Sequence, residues 1–294
     1  MNSFDWTTYL NNYPDLKMSG INDKKTAYKH WIKFGKIEGR TDKSVNDENN
    51  NILSKDINEL INGISCIAWI NLDRSNHRKI HMEKLLNNLD INNKRISAVD
   101  GLCFDFKQKI IDVNIKREFT PVEKACSLSH IKAINMLKNM DGEYFMICED
   151  DITFDNTYLF KNTDLENIIK NAPPFDILQL SKIFYNKLPN TYNVWNKNIQ
   201  GTGCYIITKS AILKISSIVS YNEIDDTFTF NNEHVFEVAD IFIYGLVNTI
   251  VYKYSFISLL DEDSTIHSNH LCFHKKSSQI QKDIILNNIS KHNL

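Results

Sequence analysis

The stretch of sequence that decides the fold is an apolar run that ends in three acids. It reads Phe145-Met146-Ile147-Cys148-Glu149-Asp150-Asp151. Four consecutive apolar residues predict a strand that is buried on both faces, as in a sheet covered by helices on each side. The three carboxylates then follow the carboxyl end of a strand, where open α/β sheets bind their ligands.

Similar apolar runs alternate with helical patterns from about residue 62 onward. Residues 64–71 form a near-continuous apolar run, and Met82, Leu85, Leu86 and Leu89 after it are spaced as on a helix. Further strands are predicted at residues 95–99, 144–148, 175–180, 204–208 and 249–254. This alternation predicts an α/β fold with a Rossmann-like, mostly parallel sheet, wound right-handed and flanked by helices.

One helix has a complete set of start signals. Thr120 suits the N-cap, Pro121 suits the first helical position, and Glu123 completes a capping box. Because capping explains Glu123 fully, we do not count it as a catalytic candidate.

The chain divides into three parts. Residues 1–40 predict a small helical module with an aromatic core, in which Trp6, Tyr9, Tyr28 and Trp31 fall at helical spacings. Residues 41–61 are polar and rich in Asn and Asp, which predicts a linker, and residues 62–294 form the main domain. The module is either a structural appendage or an acceptor-binding or interaction module.

Composition excludes some classes of protein. A formal charge of −2 does not fit the broad basic surface of a general nucleic-acid binder, although a local basic patch for one polyphosphate is compatible with it. No apolar run approaches the roughly 20 residues of a membrane span. The N-terminal residues have neither the cationic nor the apolar region of a secretory signal.

The six cysteines are far apart and form no CxxC pair. Several lie inside apolar runs, so we expect buried, reduced thiols rather than disulfides or a zinc site. Reduced thiols favour a reducing compartment, and we expect a cytoplasmic protein.

The acidic triplet is the strongest candidate site. Three adjacent anions repel one another, and a bound cation is the usual remedy. Hard oxygen ligands suit Mg²⁺ or Mn²⁺, especially where substrate phosphates complete the coordination. The alternative is an acidic turn that is simply solvated.

A second candidate region follows the first strand, at Asn71-Leu72-Asp73-Arg74-Ser75. A helix N-terminus here, with Ser75 as N-cap, would offer N–H groups to a phosphate, and Arg74 or Arg78 could add positive charge. A capped loop with a solvated arginine explains the stretch equally well. Neither a GxGxxG fingerprint nor a P-loop occurs.

Four further positions carry two readings each. Ser127 and His130 share one face of a helix, where a buried structural histidine is the more common case. Residues 201–203, Gly-Thr-Gly, allow either close approach of a ligand or a tight turn. Asp240, an acid in an apolar segment, suits a general base or a helix N-cap. His267 follows an acidic loop and could reach a metal ion.

These segments together resemble glycosyltransferase family 25, and the matches occur in family order across residues 63–267. The matching stretches are Ile70-Asn71-Leu72-Asp73-Arg74-Ser75 with Arg78, Ala98-Val99-Asp100-Gly101, Glu123 with Cys126 and Ser129-His130, Glu149-Asp150-Asp151, Gly201-Thr202-Gly203-Cys204-Tyr205, Val238-Ala239-Asp240 and Asp263-Ser264-Thr265-Ile266. Residues 1–40 resemble a short module found beside glycosyltransferase domains.

The resemblance implies a GT-A-like fold, a UDP-sugar donor, Mn²⁺ dependence and inversion at the anomeric carbon. It implies a nucleotide pocket, a metal and diphosphate site, and a base. The pocket residues would be Asn71, Arg78, Asp100, Gly101, Ser129 and His130. The metal and diphosphate site would be Glu149, Asp150 and Asp151, with His267 as a further metal ligand. The base would be Asp240. The Val-Ala spacing before Asp240 and a missing proline near Tyr254 depart from the family pattern, on the acceptor side.

We therefore expect an inverting transferase that moves a hexose from a UDP-sugar to a hydroxyl of a glycan or protein acceptor, which could be collagen-like. Galactose is favoured over glucose and N-acetylglucosamine. One alternative is a metal-dependent nucleotide-sugar hydrolase or phosphotransferase that uses the same acids. The other is a catalytically retired carbohydrate- or protein-binding adaptor.

Overall fold

The computed structural model describes residues 4–35, 40, 42, 57–87, 89–160, 163–231, 233–260 and 271–292. The chain forms two compact units, Met1–Asp56 and Ile57–Leu294. No helix within the described ranges is long and apolar enough to cross a membrane.

The first unit is a cluster of short helices. Its elements are α1 (Trp6–Asn12), α2 (Pro14–Met18), α3 (Lys24–His30) and a π-helical turn (Trp31–Gly35). Asp5 and Asp23 cap α1 and α3, since their side chains accept hydrogen bonds from first-turn N–H groups. Tyr9 is buried, and its hydroxyl group lies 2.9 Å from Nδ1 of His30. The aromatic core is present as predicted.

The second unit alternates strands and helices. Its strands are β1 (Cys66–Asn71), β2 (Asn93–Ser97), β3 (Ile110–Ile111), β4 (Tyr144–Glu149), β5 (Ile152–Thr153), β6 (Ile177–Gln179), β7 (Tyr192–Val194), β8 (Cys204–Thr208), β9 (Val219–Asn222), β10 (Thr227–Phe230), β11 (Thr249–Tyr252) and β12 (Ser258–Leu259). Its helices are α4 (residues 57–60), α5 (Asn76–Leu86), α6 (Phe106–Lys109), α7 (Pro121–Met136), α8 (Leu165–Lys170), α9 (Lys209–Ile218), α10 (Ala239–Gly245) and α11 (Leu271–His292).

Seven strands form the main sheet in the order β2-β1-β4-β8-β6-β11-β7. β2, β1, β4, β6 and β11 run in one direction, whereas β8 and β7 run antiparallel to their neighbours. The prediction of an α/β fold with a mostly parallel sheet is confirmed. Smaller sheets, β3-β10-β9 and β12-β5, were not expected from the sequence.

Both faces of the main sheet are buried. In β4, Phe145 and Ile147 point into one apolar cluster, whereas Met146 and Cys148 point into the other. This alternation follows from the two-residue period of a strand, and it explains why β4 has no polar position before Glu149. α7 covers the first face, and α5 and α8 contribute to the second.

The second unit begins five residues earlier than the predicted main domain. Ile57 and Leu60 pack against the second apolar cluster, and Ile61 is buried within it. Their spacing of three and four residues places them on one side of a helical turn. Residues 57–61 therefore belong to the folded unit and not to a linker.

Helix α7 begins with the predicted capping box. The Thr120 N–H donates to Oε2 of Glu123 (2.8 Å), and the Glu123 N–H donates to Oγ1 of Thr120 (3.2 Å). The loop after β2 packs directly on this helix start, because a Cβ on Gly101 would lie 2.6 Å from the carbonyl oxygen of Pro121. A side chain at this position would separate the loop from α7.

We predict that Gly101→Ala destabilises the protein by roughly 1–3 kcal/mol, the usual cost of overpacking, because the obstructing atoms belong to the backbone. Gly245→Ala is the matched control: nothing lies within 4 Å of its Cβ position, and it lies in a helix, where alanine is favoured by up to about 1 kcal/mol. Urea unfolding measures both. Equal stability of the two variants would contradict the close packing.

Candidate active site

The ends of three parallel strands meet at one edge of the main sheet. Asn71 ends β1 and pairs with Ser97 at the end of β2, and Ile70 pairs with Glu149 at the end of β4. The acidic triplet therefore lies beside the loops that follow β1 and β2. This is the position that the sequence predicts for the site.

Both carboxylate oxygens of Asp150 are held by hydrogen bonds. Its Oδ1 accepts a hydrogen bond from Nη1 of Arg78 (2.9 Å), and its Oδ2 accepts one from Nδ2 of Asn71 (2.6 Å). All three side chains are buried. Asn71 also accepts a hydrogen bond from Nε of Arg95 (2.9 Å), which connects Asp150 to β2. Asn71, expected to line the nucleotide pocket, instead lies behind the pocket wall and holds Asp150.

The loop after β2 is held by a second carboxylate. Asp100 forms an ion pair with Nε of Arg74 (2.7 Å) and accepts a hydrogen bond from the Leu102 N–H. Burial acts to raise the pKa of Asp100, but these two partners outweigh it, and the pKa is lowered. Ser129 joins the loop to α7, since its hydroxyl accepts from the Val99 N–H (2.9 Å) and donates to the Ala125 carbonyl (2.7 Å).

One pocket collects most of the predicted nucleotide-binding residues. Its walls include Arg74, Arg78, Asp100, Gly101, Cys126, Ser129, His130, Glu149 and Asp150. Both arginines near the start of α5 are already paired with carboxylates of the chain. Ser75 occupies the N-cap position of α5 as predicted, without a side-chain capping bond.

The Glu149 side chain contacts a different set of residues from Asp150. Its Oε1 accepts a hydrogen bond from Oγ1 of Thr202 (2.7 Å) and lies 3.4 Å from Nε2 of His130. Burial acts to raise the pKa of Glu149, but His130, Thr202 and Arg78 together lower it below its usual range. Glu149 is therefore ionised at neutral pH.

Asp151 has the opposite environment. Burial and the neighbouring charge of Glu149 raise its pKa to about 7, although Arg78 opposes the shift. Oδ2 of Asp151 lies 3.4 Å from Arg78, and the buried Oδ1 has no hydrogen-bond partner. A buried carboxylate oxygen without a partner is costly, and a cation shared with Glu149 would remove that cost. The residues present therefore fit a divalent metal ion.

A larger cavity opens on the far side of Glu149. Its walls include Arg117, Cys126, Glu149, Asp151, Lys197, Gly201, Thr202, Asp240 and His274. Glu149 and Cys126 line both this cavity and the first pocket. The acidic triplet thus separates two adjoining spaces, one beside the β1 and β2 loops and one beside α10.

Asp240 lies in the second cavity and is half-buried. It is not the N-cap of α10, a position held by Val238; it is the second residue of the helix. Its Oδ2 accepts a hydrogen bond from the Gly201 N–H (3.2 Å), and Gly201 has φ 99°, a conformation that favours glycine. The glycine turn before β8 therefore brings a backbone N–H to a carboxylate of the chain, and close approach of a ligand to this turn stays a prediction.

The remaining predicted positions are the histidines His130 and His267, Ser127 and the cysteines. His130 is buried at 1% exposure and lies between Glu149 and Tyr205. Ser127 donates to the Glu237 carbonyl (3.0 Å). His267 lies outside the described residues. The five cysteines whose side chains are described are all free thiols, but Cys103 is exposed rather than buried, since it lies in the loop after β2.

Three neighbours of Glu149 were not predicted as site residues: Cys126, Thr202 and Tyr205. Thr202 lies in the glycine turn, and turns have no periodic sequence pattern from which its position could be predicted. Cys126 carried a usable signal, because it precedes His130 by four residues in a predicted helix and so shares its face.

The fold and the site define an α/β protein in which an acidic strand end divides two adjoining pockets. The family model described as glycosyltransferase family 25 (LPS biosynthesis protein) matches residues 66–229, more than half of the chain. The chain therefore belongs to glycosyltransferase family 25, and the sheet is consistent with a Rossmann-like GT-A fold. No curated protein matches the chain significantly.

The matched region has a boundary that matters for the site. It includes the acidic triplet, the loops after β1 and β2, and the glycine turn before β8. It ends before Asp240, so the family match covers the acidic triplet and the first pocket but not Asp240.

We predict that Asp151→Asn changes the pH dependence of stability. Because the folded carboxyl group keeps its proton to about pH 7, against about 3.8 when unfolded, the folded state binds more protons and wild-type stability falls as pH rises through this window. Asparagine does not titrate, so the variant gains on the order of 2 kcal/mol relative to wild type between pH 5 and pH 8.

Urea unfolding at both pH values, with a chelator present, measures this difference. Asp155→Asn is the control, since Asp155 is exposed and close in sequence. A pH-independent difference between wild type and Asp151→Asn would contradict the unpaired carboxylate.

Proposed function

We propose that the protein is an inverting hexosyltransferase that uses a UDP-sugar donor, with galactose as the first candidate sugar. The observation that carries this proposal is the arrangement of two adjoining pockets that share Glu149, with most predicted donor residues in one and Asp240 in the other. A transferase needs this arrangement, because donor and acceptor must meet at one reacting carbon.

The donor nucleotide would bind in the first pocket. Arg74 and Arg78 line it and are fixed by Asp100 and Asp150, so their orientation does not depend on the ligand. Gly101 also lines this pocket, and its lack of a side chain lets the loop pack against the start of α7.

Glu149 and Asp151 would hold Mn²⁺, or Mg²⁺, since both are half-buried carboxylates and the buried Oδ1 of Asp151 has no partner. When bound, such an ion supplies Lewis-acid stabilisation of charge on a leaving diphosphate. Asp150 is not counted as a ligand, because Arg78 and Asn71 already bond both of its oxygens.

Asp240 is the proposed base. Its carboxylate would take the proton of an acceptor hydroxyl as that oxygen forms a bond to the anomeric carbon. The bond from this carbon to the UDP oxygen breaks at the same time, and its electron pair leaves with the diphosphate. Attack on the face opposite UDP inverts the configuration. The Gly201 N–H orients the carboxylate from one side.

The acceptor would be a hydroxyl of a glycan or of a protein, with a collagen-like chain as one case. Glucose and N-acetylglucosamine are the alternative donor sugars. The walls of the second cavity include acidic side chains as well as the cations Arg117 and Lys197. The cavity therefore fits a polar, hydrogen-bonding acceptor better than an apolar one.

The donor is tested by thermal unfolding with UDP-galactose, UDP-glucose and UDP-N-acetylglucosamine, each with and without Mn²⁺. A ligand at 100 times its Kd stabilises the native state by about 2.7 kcal/mol. We expect the largest shift with one UDP-sugar plus Mn²⁺, and loss of the Mn²⁺-dependent part in Asp151→Asn. The Asp155→Asn control should keep the Mn²⁺-dependent part of the shift.

Wild-type turnover by Asp151→Asn would contradict the metal assignment.

UDP release separates the transferase from its alternatives. A transferase releases UDP faster when sugar acceptors are added, whereas a hydrolase needs only water. An adaptor would bind UDP and release none with any acceptor of a hexoside and peptide panel.

We predict that Asp240→Asn lowers turnover by about 10²- to 10⁴-fold, the typical contribution of a general base, with little change in the KM for the donor. The amide keeps the shape and can still accept from the Gly201 N–H, but it cannot take a proton. Glu233→Gln, an exposed acid in a nearby loop, is the control. Unchanged turnover in Asp240→Asn would exclude Asp240 as the base.

A further inference from the structure

Three donor atoms of different chemistry converge between the two pockets. A sulfur of Cys126, a ring nitrogen of His130 and a carboxylate oxygen of Glu149 all lie within 4.8 Å of one another. Cys126 and His130 are four residues apart in α7, so one turn of a rigid helix places them on the same face. Glu149 reaches them from the end of β4.

The buried imidazole has an atom that the protein itself does not satisfy. His130 is 1% exposed, and its Nε2 forms no hydrogen bond. Nε2 lies 3.4 Å from Oε1 of Glu149, but the geometry is not that of a hydrogen bond. Two ligands at about 2.0–2.1 Å from a tetrahedral zinc ion are themselves roughly 3.4 Å apart. The pair is therefore spaced as two ligands of one ion.

The other nitrogen of the ring has the partner that a metal-binding histidine needs. Nδ1 of His130 lies 3.2 Å from the hydroxyl of Tyr205, which is itself buried in the core. With an ion bound, Nδ1–H would donate to this oxygen, and the lone pair of Nε2 would be directed at the ion between Glu149 and Cys126. Such an outer hydrogen bond fixes ring orientation and tautomer at metal sites.

We propose that Cys126, His130 and Glu149 form a site for a borderline-soft transition-metal ion of the Zn²⁺ class. The ligand set of one thiolate, one imidazole and one carboxylate leaves a fourth position for water, because Cys126 and Glu149 line both pockets. This chemistry differs from the all-oxygen pair of Glu149 and Asp151, which suits Mn²⁺ or Mg²⁺.

The two ion sites share one ligand, and this has a consequence for occupancy. Glu149 would have to serve both ions, so a Zn²⁺-class ion and a hard ion would compete for it. Zn²⁺ binds nitrogen and sulfur ligands more tightly than Mn²⁺ does, so low concentrations of Zn²⁺ would suffice to occupy the site. The proposed site itself does not depend on the proposed transfer reaction.

Titration of the full-length, reduced, metal-free protein with Co²⁺ tests the site. Cobalt bound to a thiolate gives an intense charge-transfer absorption in the near ultraviolet, which oxygen ligands do not give. We expect this band in the wild type, and we expect excess Zn²⁺ to abolish it by displacing Co²⁺, because thiolate, imidazole and carboxylate ligands suit a tetrahedral Zn²⁺ site.

Three variants make the test specific. Cys126→Ser should lose the band and bind Co²⁺ at least tenfold more weakly, whereas Cys103→Ser, at an exposed cysteine, should match the wild type. Tyr205→Phe should keep the band but weaken Co²⁺ binding about tenfold, because it removes the outer hydrogen bond. Circular dichroism of each variant checks that it is folded.

Absence of the band in folded wild-type protein would overturn the proposal, as would an unchanged band in Cys126→Ser. Because the probe is the metal alone, without nucleotide or sugar, these outcomes are independent of any assay of UDP-sugar transfer.

Discussion

The buried pair of Arg78 and Asp150 is the interaction on which the site depends. An isolated charge in a protein interior is strongly unfavourable, and a buried pair is tolerated only when its remaining hydrogen-bonding positions are filled. Here Asn71 fills the second oxygen of Asp150, and Arg95 fills the oxygen of Asn71. The result is a polar network that joins β4, β1, α5 and β2. Loss of either partner alone would leave an uncompensated buried charge, so the two residues are needed together.

Because this network fixes the end of β4, the three adjacent acids lie in three different electrostatic environments. Asp150 is neutralised within the chain, Glu149 is held as an anion by polar neighbours, and Asp151 is pushed toward protonation by burial and by Glu149. The residue types are nearly identical, so the differences come from position alone: successive residues at a strand end point to different sides. Three equivalent anions side by side would repel one another, so these different environments are what allow the triplet to lie between the two pockets.

Much of this architecture follows from local patterns. β4 and β8 are continuous apolar runs, and the start of α7 is specified by Thr120, Pro121 and Glu123, whose capping interactions involve neighbours in sequence. The direction of β8 could not be predicted, because an apolar run reads the same whether the strand is parallel or antiparallel. Ile57 was missed because its apolar contacts lie in distant parts of the chain. Asn71 was assigned to a pocket wall because its partners, Asp150 and Arg95, are 79 and 24 residues away.

The antiparallel orientation of β8 has a consequence for how this enzyme can diversify. In a fully parallel sheet, every loop at the edge that carries the site follows the carboxyl end of a strand. Because β8 is antiparallel, the loop that it brings to this edge lies before the strand. The Gly201–Gly203 turn therefore belongs to the connection from β7, on the far side of the sheet from the β1 and β2 loops. Residues 197 and 200–203 line the second cavity only, whereas the first pocket is lined by residues between 70 and 150. Insertions or substitutions between β7 and β8 can therefore change the walls of the second cavity while the loops around the first pocket stay unchanged.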